Sequence, residues 1–283
     1  MEKLNAYLRL MRPEVLLAGF AVTIGQAIAL GTLPPLKEAI LGYLTGFFIS
    51  SAATVFNDYF DIQVDRANKI MRPLVTGEVS RTEALGLGAL LTVLGFASSA
   101  TLGANALATC VLIWSIAFIY NWKLKGAFII GNLLVSTCIG AVFLFAAFSV
   151  NATVGPLVAF IAVLCALANF GVEVSASALD REGDKERGSD SIGVRFGRDK
   201  ALKIAGGIFF LYVCGTLVPY LAGWFGWQYL LLALGSNAIV GHYFFKVYDC
   251  ANSEEGRAYL SRLWMFGFTA AFLTVLISVV YSL

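Results

Sequence analysis

Asn57-Asp58-Tyr59-Phe60-Asp61-Ile62-Gln63-Val64-Asp65 ends one long apolar run, and Asp180-Arg181-Glu182-Gly183-Asp184 ends another far downstream. On a helix, Asn57, Asp61 and Asp65 recur every four residues and share one face, with Asp58 beside them. Asp180 and Asp184 repeat that spacing. Like charges on one helical face repel by about 0.2–0.5 kcal/mol per pair in water, and by more when partly buried. Nothing in the local sequence offsets that cost, so a solvated helix end or an N-cap is a poor account of the pattern. Carboxylates with one amide oxygen suit a hard cation instead. Mg²⁺ fits best, because it takes few carboxylates and fills its octahedron with water and phosphate oxygen.

The rest of the chain fixes the setting. It is 59% hydrophobic and only 13% charged, against about 25% charged for a soluble domain, and its mean hydropathy is +0.79. Several apolar runs reach the roughly 20 residues a helix needs to cross a bilayer. An all-α, polytopic membrane bundle follows, since barrel strands would be half that length. Cys110, Cys138, Cys165, Cys214 and Cys250 form no CxxC pair and read as packed thiols. The lone His242 has no partners for a zinc or haem site. Gly86-Leu87-Gly88 follows no strand and is no nucleotide fingerprint, and there is no P-loop.

Charge and turn residues predict nine spans, near 13–33, 39–57, 81–101, 104–121, 127–149, 154–179, 200–222, 227–247 and 259–282. Pro34-Pro35, Asn105, Asn151 and Gly226 punctuate the short turns. Numbering the connections alternately puts every Lys and Arg except Lys37 on one face. By the positive-inside rule the N-terminus and the polar loops are cytoplasmic and the C-terminus lies outside. The two long polar connections, 58–80 and 180–199, follow spans two and six and are long enough to fold over a site. A single membrane domain covering 1–283 is expected, with a weak internal echo of span, aspartate cluster and basic loop.

Basic residues crowd the same face. Arg66, Lys69 and Arg72 follow the first cluster, Lys123 and Lys125 follow Tyr120-Asn121, and Arg12-Pro13 opens span one. Topology alone accumulates cations there. Carboxylates with converging Lys and Arg would also bind Mg²⁺ together with a diphosphate. Glu173 lies seven residues before Asp180 on the same face and deeper in an apolar span; it could support the site, hold a cation or act as a base. A transporter is the rival class, but its charged groups would lie near mid-membrane and be reachable from both faces, whereas these crowd one face.

The pattern Asn57-Asp58-x-x-Asp61-x-x-x-Asp65-Arg66, then Asn68 and Arg72-Pro73, then Asp180-x-x-x-Asp184-x-x-x-Gly188, resembles the UbiA-type intramembrane prenyltransferase superfamily along nearly the whole chain. The resemblance implies that Asn57, Asp61, Asp65, Asp180 and Asp184 hold Mg²⁺ bridging a prenyl diphosphate. It implies by position that Arg66, Arg72, Lys123 and Lys125 help bind the diphosphate, with Arg12 joining them. Asp58, Asn68, Tyr120 and Glu173 would support the site. Asp184-Lys185-Glu186-Arg187-Gly188 through Ser191-Ile192-Gly193-Val194-Arg195-Phe196-Gly197 looks most like the archaeal digeranylgeranylglyceryl phosphate synthases. That branch joins geranylgeranyl diphosphate to geranylgeranylglyceryl phosphate in the membrane, forming the second ether bond of archaeal lipid. Members that prenylate 4-hydroxybenzoate or naphthoates for quinone synthesis share the metal motifs. No nucleic-acid partner is implied.

Overall fold

A computed structural model describes residues 2–12, 15–67, 70–186 and 188–281. These form helices only: α1 (Glu2–Met11), α2 (Leu16–Leu30), α3 (Leu36–Phe60), α4 (Ile62–Ala67), α5 (Pro73–Thr76), α6 (Arg81–Ala100) and α7 (Ala104–Ile119). There follow α8 (Phe128–Ser149), α9 (Pro156–Leu179), α10 (Arg181–Glu186), α11 (Ile192–Phe196), α12 (Arg198–Thr216), α13 (Val218–Leu221), α14 (Trp227–Asp249), α15 (Ser253–Arg262) and α16 (Thr269–Val280). Among the described residues, eight helices are long and apolar enough to cross a membrane, or up to nine if the bent α1–α2 pair counts as one span. That meets the sequence expectation. The expected loops differ in one respect: 58–80 carries α4 and α5, and 180–199 carries α10 and α11. Asn105 falls inside α7, and the turn it was expected to mark is made at Thr101–Gly103, where Gly103 takes φ 119.

The chain forms two compact units, one of Met1–Gln26, Pro34–Lys125 and Ala141–Val154, the other of Ala27–Leu33, Gly126–Gly140 and Gly155–Leu283. In the first, α3 lies along α6, and glycine allows the close approach. A Cβ at Gly88 would stand 2.9 Å from the Phe56 ring, and one at Gly95 would stand 2.7 Å from the Ile49 side chain. Small residues at a helix contact are the usual way to gain dispersion energy where lipid removes the hydrophobic drive between helices. Ser98 of α6 donates to the Leu41 carbonyl at 2.9 Å across the same contact. Phe56, Trp114 and Phe118 pack beneath the α3 C-terminus. In the second unit, α9 packs on α12, with Phe209 against Gly171. Asn169 donates to Ser136 at 3.2 Å and Asn237 to Thr216 at 2.7 Å. Such bonds are worth about 0.6 kcal/mol each in a membrane. Buried hydroxyls elsewhere bond back one turn, Thr92 to the Gly88 carbonyl and Ser175 to that of Gly171, since lipid offers them no other acceptor. Leu90, Val93, Val163, Phe210 and Leu231 stand exposed on the long helices, as lipid-facing residues do.

Candidate active site

The first motif spans the end of α3 and the start of α4. Helix α3 stops at Asp61, at φ −90 and ψ 2, yet the hydrogen-bond ladder continues through the break. Asp61 N–H donates to the Asn57 carbonyl at 3.0 Å and Asp65 N–H to the Asp61 carbonyl at 2.8 Å. Asn57, Asp61 and Asp65 therefore share a face, as their spacing predicts. Asp58, Asp61 and Asp65 are only 2%, 8% and 4% exposed.

Carboxylates so buried must be answered by charge, and three cations from distant segments do so. Arg12 Nη2 reaches Asp58 Oδ1 at 2.6 Å, and Arg72 pairs with the same oxygen. Arg72 Nη1 also lies 3.1 Å from Asp65 Oδ2, and Lys125 pairs with Asp61 Oδ2. Arg72 meets Asp65 off the hydrogen-bond direction, so Asp65 Oδ2 is a buried acceptor without a hydrogen bond. Burial pushes the Asp65 carboxyl above the usual carboxylate range; Arg72 opposes this, and Asp61 and Asp58 add to it.

Local structure explains how these side chains arrive. Arg12 follows α1 in the left-handed region, at φ 61. Arg72 is the N-cap of α5, whose first residue is Pro73; Pro-first helices give up only an N–H that no helical partner would take. Helix α7 runs into a π-helical turn at Tyr120–Leu124, a widening that recurs at functional sites. That turn carries Asn121, whose Oδ1 accepts from Asn57 Nδ2 at 2.9 Å while its Nδ2 donates to the Ala53 carbonyl at 3.3 Å. Lys125 follows directly.

The remaining expected residues are placed less evenly. Arg66 is exposed and makes no ion pair among the described residues. Lys123 lies over its neighbour Trp122, 4.0 Å from the ring centroid, so of the two lysines it is Lys125 that holds an aspartate. Tyr120 is buried and engaged. Asn68, Lys69 and Pro13 lie outside the described residues. The sequence marks Asn121 only as the neighbour of Tyr120; its signal is a lone amide ending an apolar helix, which a buried polar partner explains.

In the second unit, Asp180 is the C-cap of α9, and Asp184 N–H donates to the Asp180 carbonyl at 2.9 Å. Arg257 Nη1 reaches Asp180 Oδ1 at 2.6 Å, both side chains about half exposed. Asp184 is partly buried and engaged. Glu173, in α9, is partly buried and engaged. The following loop is fastened by the Asp190–Arg195 pair, by the Arg195 guanidinium 4.0 Å over the Phe128 ring, and by Asp190 N–H donating to the Gly126 carbonyl at 3.1 Å. The Arg195 hydrogen bonds hold the Asp190 carboxyl below the usual range.

Among the described residues no three Asp, Glu, His or Cys side chains lie close enough to hold a metal ion. The first unit by itself offers two carboxylates and an amide. That is a sufficient protein share for Mg²⁺, which draws its other ligands from water and substrate phosphate. Asp65 Oδ2, buried and without a hydrogen bond, is the kind of atom a divalent cation satisfies. The donor set fits.

Multiple membrane spans, an acid-rich helix end and cations clamped beside it together describe a membrane protein with a charged site at a helix end. Residues 18–268 match the UbiA prenyltransferase family, and the chain belongs to that family. In particular, it is 33% identical over 240 residues to the digeranylgeranylglyceryl phosphate synthase of Methanopyrus kandleri, covering 84% of this chain and 86% of the relative. It is 34% identical over 234 residues to that of Methanocaldococcus jannaschii, covering 82% and 81%. A solved structure from work on digeranylgeranylglyceryl phosphate synthase in membranes superposes with a TM-score of 0.76 at 28% identity, covering 99% of this chain and 100% of that one. A UbiA homolog from Archaeoglobus fulgidus bound to GPP and Mg²⁺ shares the fold, with a TM-score of 0.70 at 21% identity, covering 98% and 99%. The protein is a membrane prenyltransferase.

Proposed function

We propose that the protein transfers a geranylgeranyl group from geranylgeranyl diphosphate to the free hydroxyl of geranylgeranylglyceryl phosphate, forming the second ether bond of an archaeal membrane lipid. The observation that carries this reading is its identity of about a third with archaeal digeranylgeranylglyceryl phosphate synthases over some four-fifths of both chains. Asn57, Asp61 and Asp65 in the first unit, and Asp180 and Asp184 in the second, would hold Mg²⁺. When bound, the ion supplies positive charge against the diphosphate oxygens. Arg12, Arg72 and Lys125 hold cationic heads beside the first motif and would take the same anion, with Arg66 and Lys123 free to approach it.

The allylic C–O bond breaks with its electron pair leaving on the diphosphate. Preorganised cations stabilise that developing charge and lower the barrier. The allylic cation must then meet the acceptor oxygen before water does, which is a reason to run the reaction among apolar helices. A lone pair of the acceptor hydroxyl forms the new C–O bond, and its proton is lost to the departing diphosphate or to solvent. The distribution of Lys and Arg supports a site on the cytoplasmic side of the cell membrane.

The test is Mg²⁺-dependent prenyl transfer by the whole protein in liposomes. Geranylgeranyl diphosphate would be offered with geranylgeranylglyceryl phosphate, 4-hydroxybenzoate or a naphthoate. Ether product with the glycerol phosphate alone is expected. An aromatic product would move the enzyme to quinone synthesis, and no product with any acceptor would overturn the reading.

A further inference from the structure

We infer that Asp58, next to the metal-type residues in sequence, is a positioning residue for the diphosphate: it gathers Arg12 and Arg72 into one anion-binding fork. This rests on the prenyl-transfer reading and assigns part of it to one side chain. Asp58 Oδ1 receives both guanidiniums, brought from 46 residues before it and 14 after it. Its side chain is 2% exposed, whereas those of Arg12 and Arg72 are 36% and 26% exposed. The carboxylate is thus the covered base of the cluster and the guanidiniums its reachable heads. Each guanidinium carries five N–H donors in a fixed plane, so bonds to Asp58 leave several free while fixing the orientation of the rest. Arg72 also lies 3.1 Å from Asp65, so the two guanidiniums and two carboxylates balance in charge, and it is their oriented free N–H donors that suit the cluster to a diphosphate. The geometry also explains why Arg12 keeps a left-handed backbone that few non-glycine residues adopt, since such a conformation persists only where surrounding contacts over-determine it.

Two plainer accounts make opposite forecasts. If Asp58 only balances charge, Asp58→Asn raises the local charge by one and should tighten anion binding. If Asp58 is a metal ligand, the same change should shift the Mg²⁺ requirement. As a positioning residue, its loss frees both arginines and weakens diphosphate binding while the Mg²⁺ requirement stays put.

The experiment measures binding of geranylgeranyl diphosphate at saturating Mg²⁺, without acceptor, to the detergent-solubilised wild type and to Asp58→Asn. The Mg²⁺ midpoint is read separately at saturating diphosphate. Because no acceptor is present, an error in the acceptor assignment would leave this readout intact. Expected is a rise in Kd of about tenfold or more, the scale of misplaced charge-assisted bonds, with a Mg²⁺ midpoint within about twofold of wild type. Unchanged or tighter diphosphate binding, or a Mg²⁺ shift as large as the diphosphate shift, overturns the inference. If Asp58→Asn does not fold, Asp58→Glu, which keeps the charge but moves the carboxylate by one methylene, takes its place: weaker diphosphate binding at an unshifted Mg²⁺ midpoint supports the inference, and unchanged binding overturns it. Failure of both to fold would make Asp58 a scaffold residue and also overturn it.

Discussion

The two aspartate motifs end apolar helices alike, and both carry the helical ladder across the break, yet one unit buries its acids and the other leaves Asp180 half exposed and Asp184 partly buried. In the first, Asp58, Asp61 and Asp65 are each less than a tenth exposed and are met by Arg12, Arg72 and Lys125. In the second, Asp180 is held, among the described residues, by Arg257 in a half-exposed pair. A buried acid left alone costs several kcal/mol, so the first motif had to recruit cations from elsewhere in its own unit. Its geometry is thereby set before any substrate arrives. In the second unit it is the loop after the motif that is fastened, Asp190 to Arg195 and Arg195 to Phe128.

Removing an acid from the buried motif should break the comparison most severely. Asp61→Ala is expected to lower kcat/KM by about a thousandfold or more, as loss of a preorganised charge at a polar reaction centre does. Lys125 loses its partner, but its side chain is 30% exposed and can rehydrate, so the variant should still fold. Prenyl transfer with a melting scan alongside checks both points. Activity near wild type would place Asp61 outside the reaction and leave the two motifs indistinguishable.

Asn121→Ala sharpens the same contrast at a smaller scale. Asn121 pins the Asn57 amide from the π-helical turn, which fixes which way the Asn57 oxygen points. Freed, that amide would sample both orientations, and an approximately tenfold weaker Mg²⁺ dependence is expected, the cost usual for a residue that orients a ligand. Asn121→Asp, which keeps the acceptor, should recover part of the loss. An unchanged Mg²⁺ titration for Asn121→Ala would show that Asn57 needs no such support.

Much of this was legible in the chain. The i, i+4 spacing of Asn57, Asp61 and Asp65 survives in the structure because the backbone ladder survives the helix break. The eight or nine spans were legible because lipid imposes length and apolarity directly. Pairing was not. That Arg12 and Arg72 would share Asp58, and that Lys125 rather than Lys123 would meet Asp61, depends on contacts between segments 14 to 64 residues apart. Spacing along one helix carries no information about such contacts. The π-helical turn that sends Lys125 inward and leaves Lys123 on Trp122 likewise left no mark in composition.

The smallest effect is expected where the second motif is weakest. Arg257→Ala removes the cation facing Asp180, but exposed ion pairs contribute only about 0–1 kcal/mol because water and salt already screen them. A two- to threefold loss of activity is expected at about 50 mM salt, shrinking toward none at about 500 mM, where the screening length falls below 5 Å. Stability should be unchanged within error. A salt-independent loss of tenfold or more would mean that Arg257 does for Asp180 what Lys125 does for Asp61. The second motif would then be as tightly prepared as the first, and the asymmetry between the units would be one of exposure alone.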